Sequence, residues 1–120
     1  MTYNRRRPRH TKKDANHSLV GDLVREFPYW KGYRLRCIDT ADMGGNMLDW
    51  FVSLGPLCFL VEVKQPGKAG NLTAGESETV LHWESLAFVV TDETELMNVL
   101  DAMLPFARHI TEELRNETNR

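Results

Sequence analysis

The sequence predicts an α/β fold: a mixed central sheet with helices on both faces, in the order α-β-β-β-α-β-α. Three observations carry it. Apolar residues recur at helical spacing over 14–27 and again after Glu93. Strand-like apolar runs fill 32–39, 48–53 and 58–64, and "LGPL" joins the last two. A short run, "LAFVV" at 86–90, stands between helical segments, the pattern of a buried central or parallel strand.

Each element has its own signal. Asp14 can cap the first helix, and Ala15, Leu19, Leu23 and Phe27 then recur every four residues with Val20 and Val24 beside them. Pro28 follows, where a helix should stop. In "GYRLRCID", Tyr33, Leu35 and Cys37 alternate with Arg34 and Arg36, so this strand has one wetter face. "TADMGGNM" and "QPGKAGN" read as loops. "LTAGESETVLHWES" reads as a helix capped by Thr73. Asp92 or Thr91 caps the last helix, whose inner face is Leu96, Val99, Leu100, Met103 and Leu104; Pro105 should kink or end it. "FARHITEELRNE" then forms a further turn or helix.

The totals bound the class. The 120 residues suffice for one domain and not for two. An apolar share of 42% with 27% charged residues is that of a globular protein. No apolar run approaches the roughly 20 residues that span a bilayer. Cys37 and Cys58 read most simply as free thiols in a reducing, cytoplasmic setting, with a disulfide as the alternative. The four histidines, His10, His17, His82 and His109, lack zinc-site spacing. The net charge of −2 is unevenly spread: Arg5, Arg6, Arg7, Arg9, Lys12 and Lys13 give residues 1–13 a charge of +6, whereas the remainder holds nine basic and 17 acidic groups. Residues 1–13 therefore read as a flexible basic arm on a domain of residues 14–120, either for a polyanionic partner or as a solubilising tail.

The charged hairpin is the chemical signal. Asp49 interrupts the strand "LDWFV", and Glu62 and Lys64 interrupt "LVEVK". Side chains alternate along a strand, so Glu62 and Lys64 share one face, as do Asp49, Phe51 and Ser53. Antiparallel pairing across the Gly-Pro turn brings Asp49 beside Glu62 and Lys64 at one end. Two adjacent carboxylates repel unless a proton or a cation joins them. Mg²⁺ suits such a pair, because it takes one or two carboxylates together with water and phosphate oxygens. A lysine beside them can orient water or stabilise charge on a phosphate. The bland reading of the same residues is an ion pair at a strand end.

Beyond this chemistry, helix, three strands with D…ExK, helix, strand resembles the PD-(D/E)xK nuclease superfamily, and most of all its small VRR-NUC and Holliday-junction-resolvase-like members, often carried by phages. The likeness covers residues 14–100. "DAN" at 14–16 resembles the family's first-helix anchor, and Gly44 and Gly45 precede the acidic strand. "LDWFV" stands where the family has PDLLV, "LVEVK" where it has LLEVK, and "LTAGESETVLHW" where it has LTPAEQ…W. Leu48 replaces a proline, Ser77 a glutamine, and His17 stands near the place of a first-helix acid or amide.

The resemblance implies a restriction-endonuclease-like sandwich and a Mg²⁺- or Mn²⁺-dependent endonuclease acting on DNA, branched or structured DNA above all. Asp49, Glu62 and the Val63 carbonyl would hold the metal, Lys64 would be catalytic, and Gln65 would assist. Asn16, His17 and Glu76 are the candidates for a third protein ligand. The basic arm, Arg34 and Arg36 would bind nucleic acid. The expected assembly is a homodimer with apolar residues after Pro105, such as Phe106 and Ile110, at the interface, without membrane or small-molecule cofactor, in the cytoplasm, with a phage-encoded protein acting in the host cell as one option. The rival reading is a non-catalytic nucleic-acid-binding or scaffold protein on the same fold.

Overall fold

A computed structural model describes residues 16–43 and 47–119. The expected arm and the Asp14 cap lie outside the described residues. Asn16–Ser18 form a turn, and helix α1 runs Leu19–Glu26, burying Val20 and Leu23. It ends at Phe27, before Pro28, as the sequence implies.

Strand β1 (Tyr29–Trp30) is an element that the sequence reading lacked. It pairs with β2 (Tyr33–Asp39) through Lys31 and Gly32, both at positive φ (49° and 96°). Two such residues make a primed hairpin turn that matches strand twist. Strand β3 is Trp50–Leu54 and β4 is Leu57–Val63. Helix α2 is Ala74–Trp83, and a short 3₁₀ turn, Glu84–Leu86, leads into β5 (Ala87–Val90). Helix α3 then runs Glu93–Thr118.

The five strands lie in the order β1-β2-β3-β4-β5. All neighbours are antiparallel except β4 and β5, which are parallel. Strand β5 is therefore parallel, as expected, but lies at the sheet edge rather than its centre. It is covered because α2 and α3 both pack on it. Alternation sorts the two faces. Trp50, Val52, Leu54, Phe59, Val61, Val63 and Val90 join α1 and α3 in the main core. Leu60 and Ala87 point to the other face, where Leu48, Phe51 and Val80 of α2 make a smaller cluster. Helices thus cover both faces, two on one side and one on the other.

Pro105 does not end α3: Leu100, Met103 and Leu104 before it and Ala107 after it are all buried, so tertiary packing outweighs one lost N–H donor. Trp83 is 39% exposed, whereas Trp30 and Trp50 are buried. The Trp30 indole N–H donates to Asp101 (3.0 Å). Cys37 pairs with Val52 in the main-core face and Cys58 pairs with Ser53 on the other, so the thiols sit on opposite sides of the sheet and are free. No helix among the described residues is long and apolar enough to cross a membrane.

The β3–β4 turn positions everything that follows. Leu54 faces Leu57, and only Gly55 and Pro56 lie between them. Gly55 has φ +56°, and a Cβ there would stand 2.7 Å from Tyr33 Cδ1. Gly55→Ala should therefore cost about 1–3 kcal/mol, through the left-handed backbone and the clash together. Gly70→Ala, which meets nothing within 4 Å, should stay within about 0.5 kcal/mol of the parent. Urea unfolding of both variants checks the pair.

Candidate active site

Strand register brings the acids together. Trp50 faces Val61, so Asp49 and Glu62 face each other one step beyond. The Asp49 N–H donates to Glu62 Oε1 (3.1 Å), and the Val63 N–H donates to Asp49 Oδ2 (3.0 Å). Each carboxylate is thus fixed through one oxygen, leaving Asp49 Oδ1 and Glu62 Oε2. Lys64 Nζ lies 3.3 Å from Glu62 Oε2. The Val63 side chain is core, as expected.

Helix α2 delivers a third carboxylate. The Thr73 Oγ1 accepts the Glu76 N–H (3.1 Å), and Glu76 Oε1 accepts the Thr73 N–H (2.9 Å). This capping box pins Glu76 at the helix start. Glu76 Oε1 also lies 3.4 Å from Lys64 Nζ. Lys64 therefore bridges a strand carboxylate and a helix carboxylate.

Electrostatics follow from burial. Glu62 is 3% exposed. Burial, a hydrogen bond shared with Glu76 and the nearby Asp49 charge push its carboxyl up to about 8. Burial likewise raises Asp49, against the Val63 N–H and the His17 and Lys64 charges. Burial would also raise Glu76, but the hydrogen bonds from Glu62, Thr73 and Lys64 outweigh it and hold its carboxyl below the usual range. Of the two carboxyls, Glu62 is thus pushed toward the protonated form and Glu76 toward the ionised one. Burial disfavours the Lys64 ammonium, yet Glu62 and Glu76 outweigh it and raise the lysine.

The start of α1 closes the other side. Asn16 Nδ2 donates to the carbonyls of Lys64 (3.0 Å) and Thr91 (2.8 Å), tying the ends of β4 and β5 together. Its Oδ1 is buried without a hydrogen-bond partner. The Trp50 indole N–H donates to the His17 carbonyl (2.9 Å), and the two rings stack at 5.4 Å. His17 Nε2 lies 3.1 Å from Asp39 Oδ2, and its Nδ1 lies 3.8 Å from Asp49 Oδ1. Of the three third-ligand candidates, Glu76 and His17 reach the carboxylates, while Asn16 is engaged as a brace. Asp39 accepts the Ala41 N–H (3.0 Å) in a turn and also reaches His17. The available signal was its place at the end of β2, opposite Trp50.

Other expected residues lie further out. Gln65 lines a cleft with Asn16, Leu19 and Thr91 and has no hydrogen bond to the carboxylates among the described residues. Arg34 and Arg36 are exposed on β2. Arg5, Arg6, Arg7, Arg9, Lys12 and Lys13 lie outside the described residues.

The donor chemistry fits a hard divalent ion: carboxylate oxygens of Asp49 and Glu62, with one cation, Lys64, against three acids. Among the described residues no group of three or more His, Cys, Asp or Glu is placed to hold a metal ion by itself. Mg²⁺ does not require one, since it keeps several waters. No family model, curated protein or solved structure matches this chain.

The raised carboxyls set a pH dependence. Between the ordinary carboxylate range and about 8, folded Glu62 holds a proton that the unfolded chain has lost. Metal-free stability should therefore fall as pH rises through that window, and Asp49 adds in the same direction. Glu76, whose carboxyl is lowered, acts oppositely and only at more acidic pH. Melting temperatures measured in chelator should decline from pH 5 to 8.5, and Glu62→Gln should flatten the decline and raise the value at pH 8.5.

Proposed function

We propose that this protein is a Mg²⁺- or Mn²⁺-dependent endonuclease of the PD-(D/E)xK type, hydrolysing phosphodiester bonds in DNA, with branched or structured DNA as its preferred substrate. The observation that carries this reading is the opposition of Asp49 and Glu62 across β3 and β4 with Lys64 two residues on. The five-strand mixed sheet and its single parallel pair are compatible with a restriction-endonuclease-like sandwich.

Roles follow from the atoms. Asp49 and Glu62, with the Val63 carbonyl, would hold the cation, which when bound supplies Lewis-acid polarisation and neutralises carboxylate charge. Lys64, 16% exposed, keeps an ammonium at the rim of the cluster, where it can orient water or meet charge developing on phosphate oxygens. Glu76 holds that ammonium from the helix side. The Val63 N–H and Asp49 N–H bonds orient the carboxylates, so little reorganisation is needed when a cation arrives. The basic residues of 1–13 add salt-sensitive affinity for phosphates. Symmetric cutting of a junction takes two sites, so the proposal includes a homodimer. Phe106, 58% exposed on α3, and Ile110 offer apolar surface for it.

The second reading is a non-catalytic nucleic-acid-binding protein. It is favoured by one observation: Lys64 is already engaged by both Glu62 and Glu76, an ion network that has a structural role by itself. Activity on linear, flapped and four-way DNA separates the two. Purified protein should nick or cut at least one of them with Mg²⁺ and none in chelator; no cutting on any with either metal would leave the second reading. Asp49→Asn should abolish cutting with the fold intact. Lys64→Ala should lower the single-turnover rate by roughly 10²-fold or more while Ca²⁺-supported DNA binding stays near the parent value. A purely structural lysine would instead lower the melting temperature and leave the rate close to normal.

A further inference from the structure

We infer that the part of the sheet face not covered by α2 is a track for one nucleic-acid strand, on which Arg36 and Arg34 hold successive backbone phosphates leading away from the Asp49–Glu62 pair. This rests on reading that pair as a phosphodiester-cleaving site.

The register lays the face out in rows. Asp49 and Glu62 form one row. Ile38, Phe51, Leu60 and Ala87 form the next, and Arg36, Ser53 and Cys58 the one after. Arg34 follows two residues further along β2. Helix α2 contributes Val80 to the cluster around Leu60 and Ala87, on the β4–β5 side. On the β2 side the face is open: Arg34 and Arg36 are exposed and Ile38 is 60% exposed. The exposed part of this face therefore runs along β2 from Ile38 to two guanidinium groups, on the same side of the sheet as the carboxylates, next to which Met47 and Leu48 pack on Leu60.

Charge and spacing select the occupant. Residues outside the basic arm carry an excess of eight acidic charges. Yet neither Arg34 nor Arg36 is ion-paired with an acid among the described residues. Unpaired guanidiniums on an acidic body suit a polyanion. Residues two apart on a strand are separated by about 6.6 Å, close to the separation of successive phosphates along a nucleic-acid strand. The Arg34 guanidinium lies 5.5 Å over the Tyr29 ring, which restricts its rotamers before any ligand arrives. Ile38, between the arginines and the carboxylates, offers apolar contact to sugar or base. Arg36 sits about 13 Å from the carboxylate row along the strand direction, so the held phosphates lie beyond the neighbours of the reacting one.

The test is a salt titration of DNA binding in Ca²⁺, full-length parent against Arg34→Gln/Arg36→Gln. Both positions are exposed, and equal melting temperatures check that the fold is kept. Two lost phosphate contacts should make the log–log slope shallower by about 1.8 on duplex or about 1.4 on a single strand. Neutral methylphosphonate linkages scanned along the strand should weaken the parent at two adjacent positions, and the variant at neither. An unchanged slope, or a parent that does not bind DNA, overturns the track. So does an unchanged slope with lost self-association in sedimentation, which assigns the face to a second copy. Cutting in Mg²⁺ is scored separately. A parent that binds with the expected slope yet never cuts overturns the nuclease reading and leaves the track, and a parent that cuts while the variant's slope is unchanged does the reverse.

Discussion

The Gly55-Pro56 turn fixes the pairing of β3 with β4, and the chemistry of the molecule hangs on that pairing. A one-residue slip would send Asp49 to the opposite face from Glu62 and turn Phe51 and Leu60 out of their cluster. The observed register instead lets Asp49 and Glu62 exchange backbone support: one N–H holds Glu62 and another, from Val63, holds Asp49. The apolar alternation of both strands, with Val52, Phe59, Val61 and Val63 fully buried, defends the register. Core packing therefore supplies the free energy that keeps two carboxyl groups side by side.

That arrangement has a cost which shows in the ionisation of the site. Glu62 is held near 8, above any ordinary carboxyl, because burial, Glu76 and Asp49 all disfavour its charge. Lys64 alone does not offset three acids. Two features bear on the rest in the free protein: the upward push on the Glu62 carboxyl, which favours its protonated form, and the His17 ring near Asp49, itself braced by Trp50 and Asp39. A divalent cation would relieve the same repulsion with the same oxygens. On the proposed reading, that repulsion is what would make the site receptive to such an ion.

Much of this was legible in the sequence because it rests on short-range rules. Alternation gave the faces of β3 and β4, and Thr73 was legible as a helix cap, which the structure extends to a capping box with Glu76. Leu72–Ser77 could be read as a helix start without knowing that the cap also carries a carboxylate to Lys64. What escaped depends on long-range packing. Strand β1 is two residues long and is defined only by its partner, and α3 passes Pro105 because the core holds both sides of it. The Asp39–His17–Trp50 brace joins residues from three elements whose proximity no local pattern encodes.

The central claim is that the Asp49–Glu62 pair is a divalent-cation site whose proton yields to the metal. Calorimetric titration with Mn²⁺ at pH 7, in buffers of different ionisation enthalpy, counts the protons released on binding. Saturable binding with close to one proton released, and loss of that binding in Asp49→Asn, is the expected result. No binding, or binding that persists unchanged in Asp49→Asn, would contradict it.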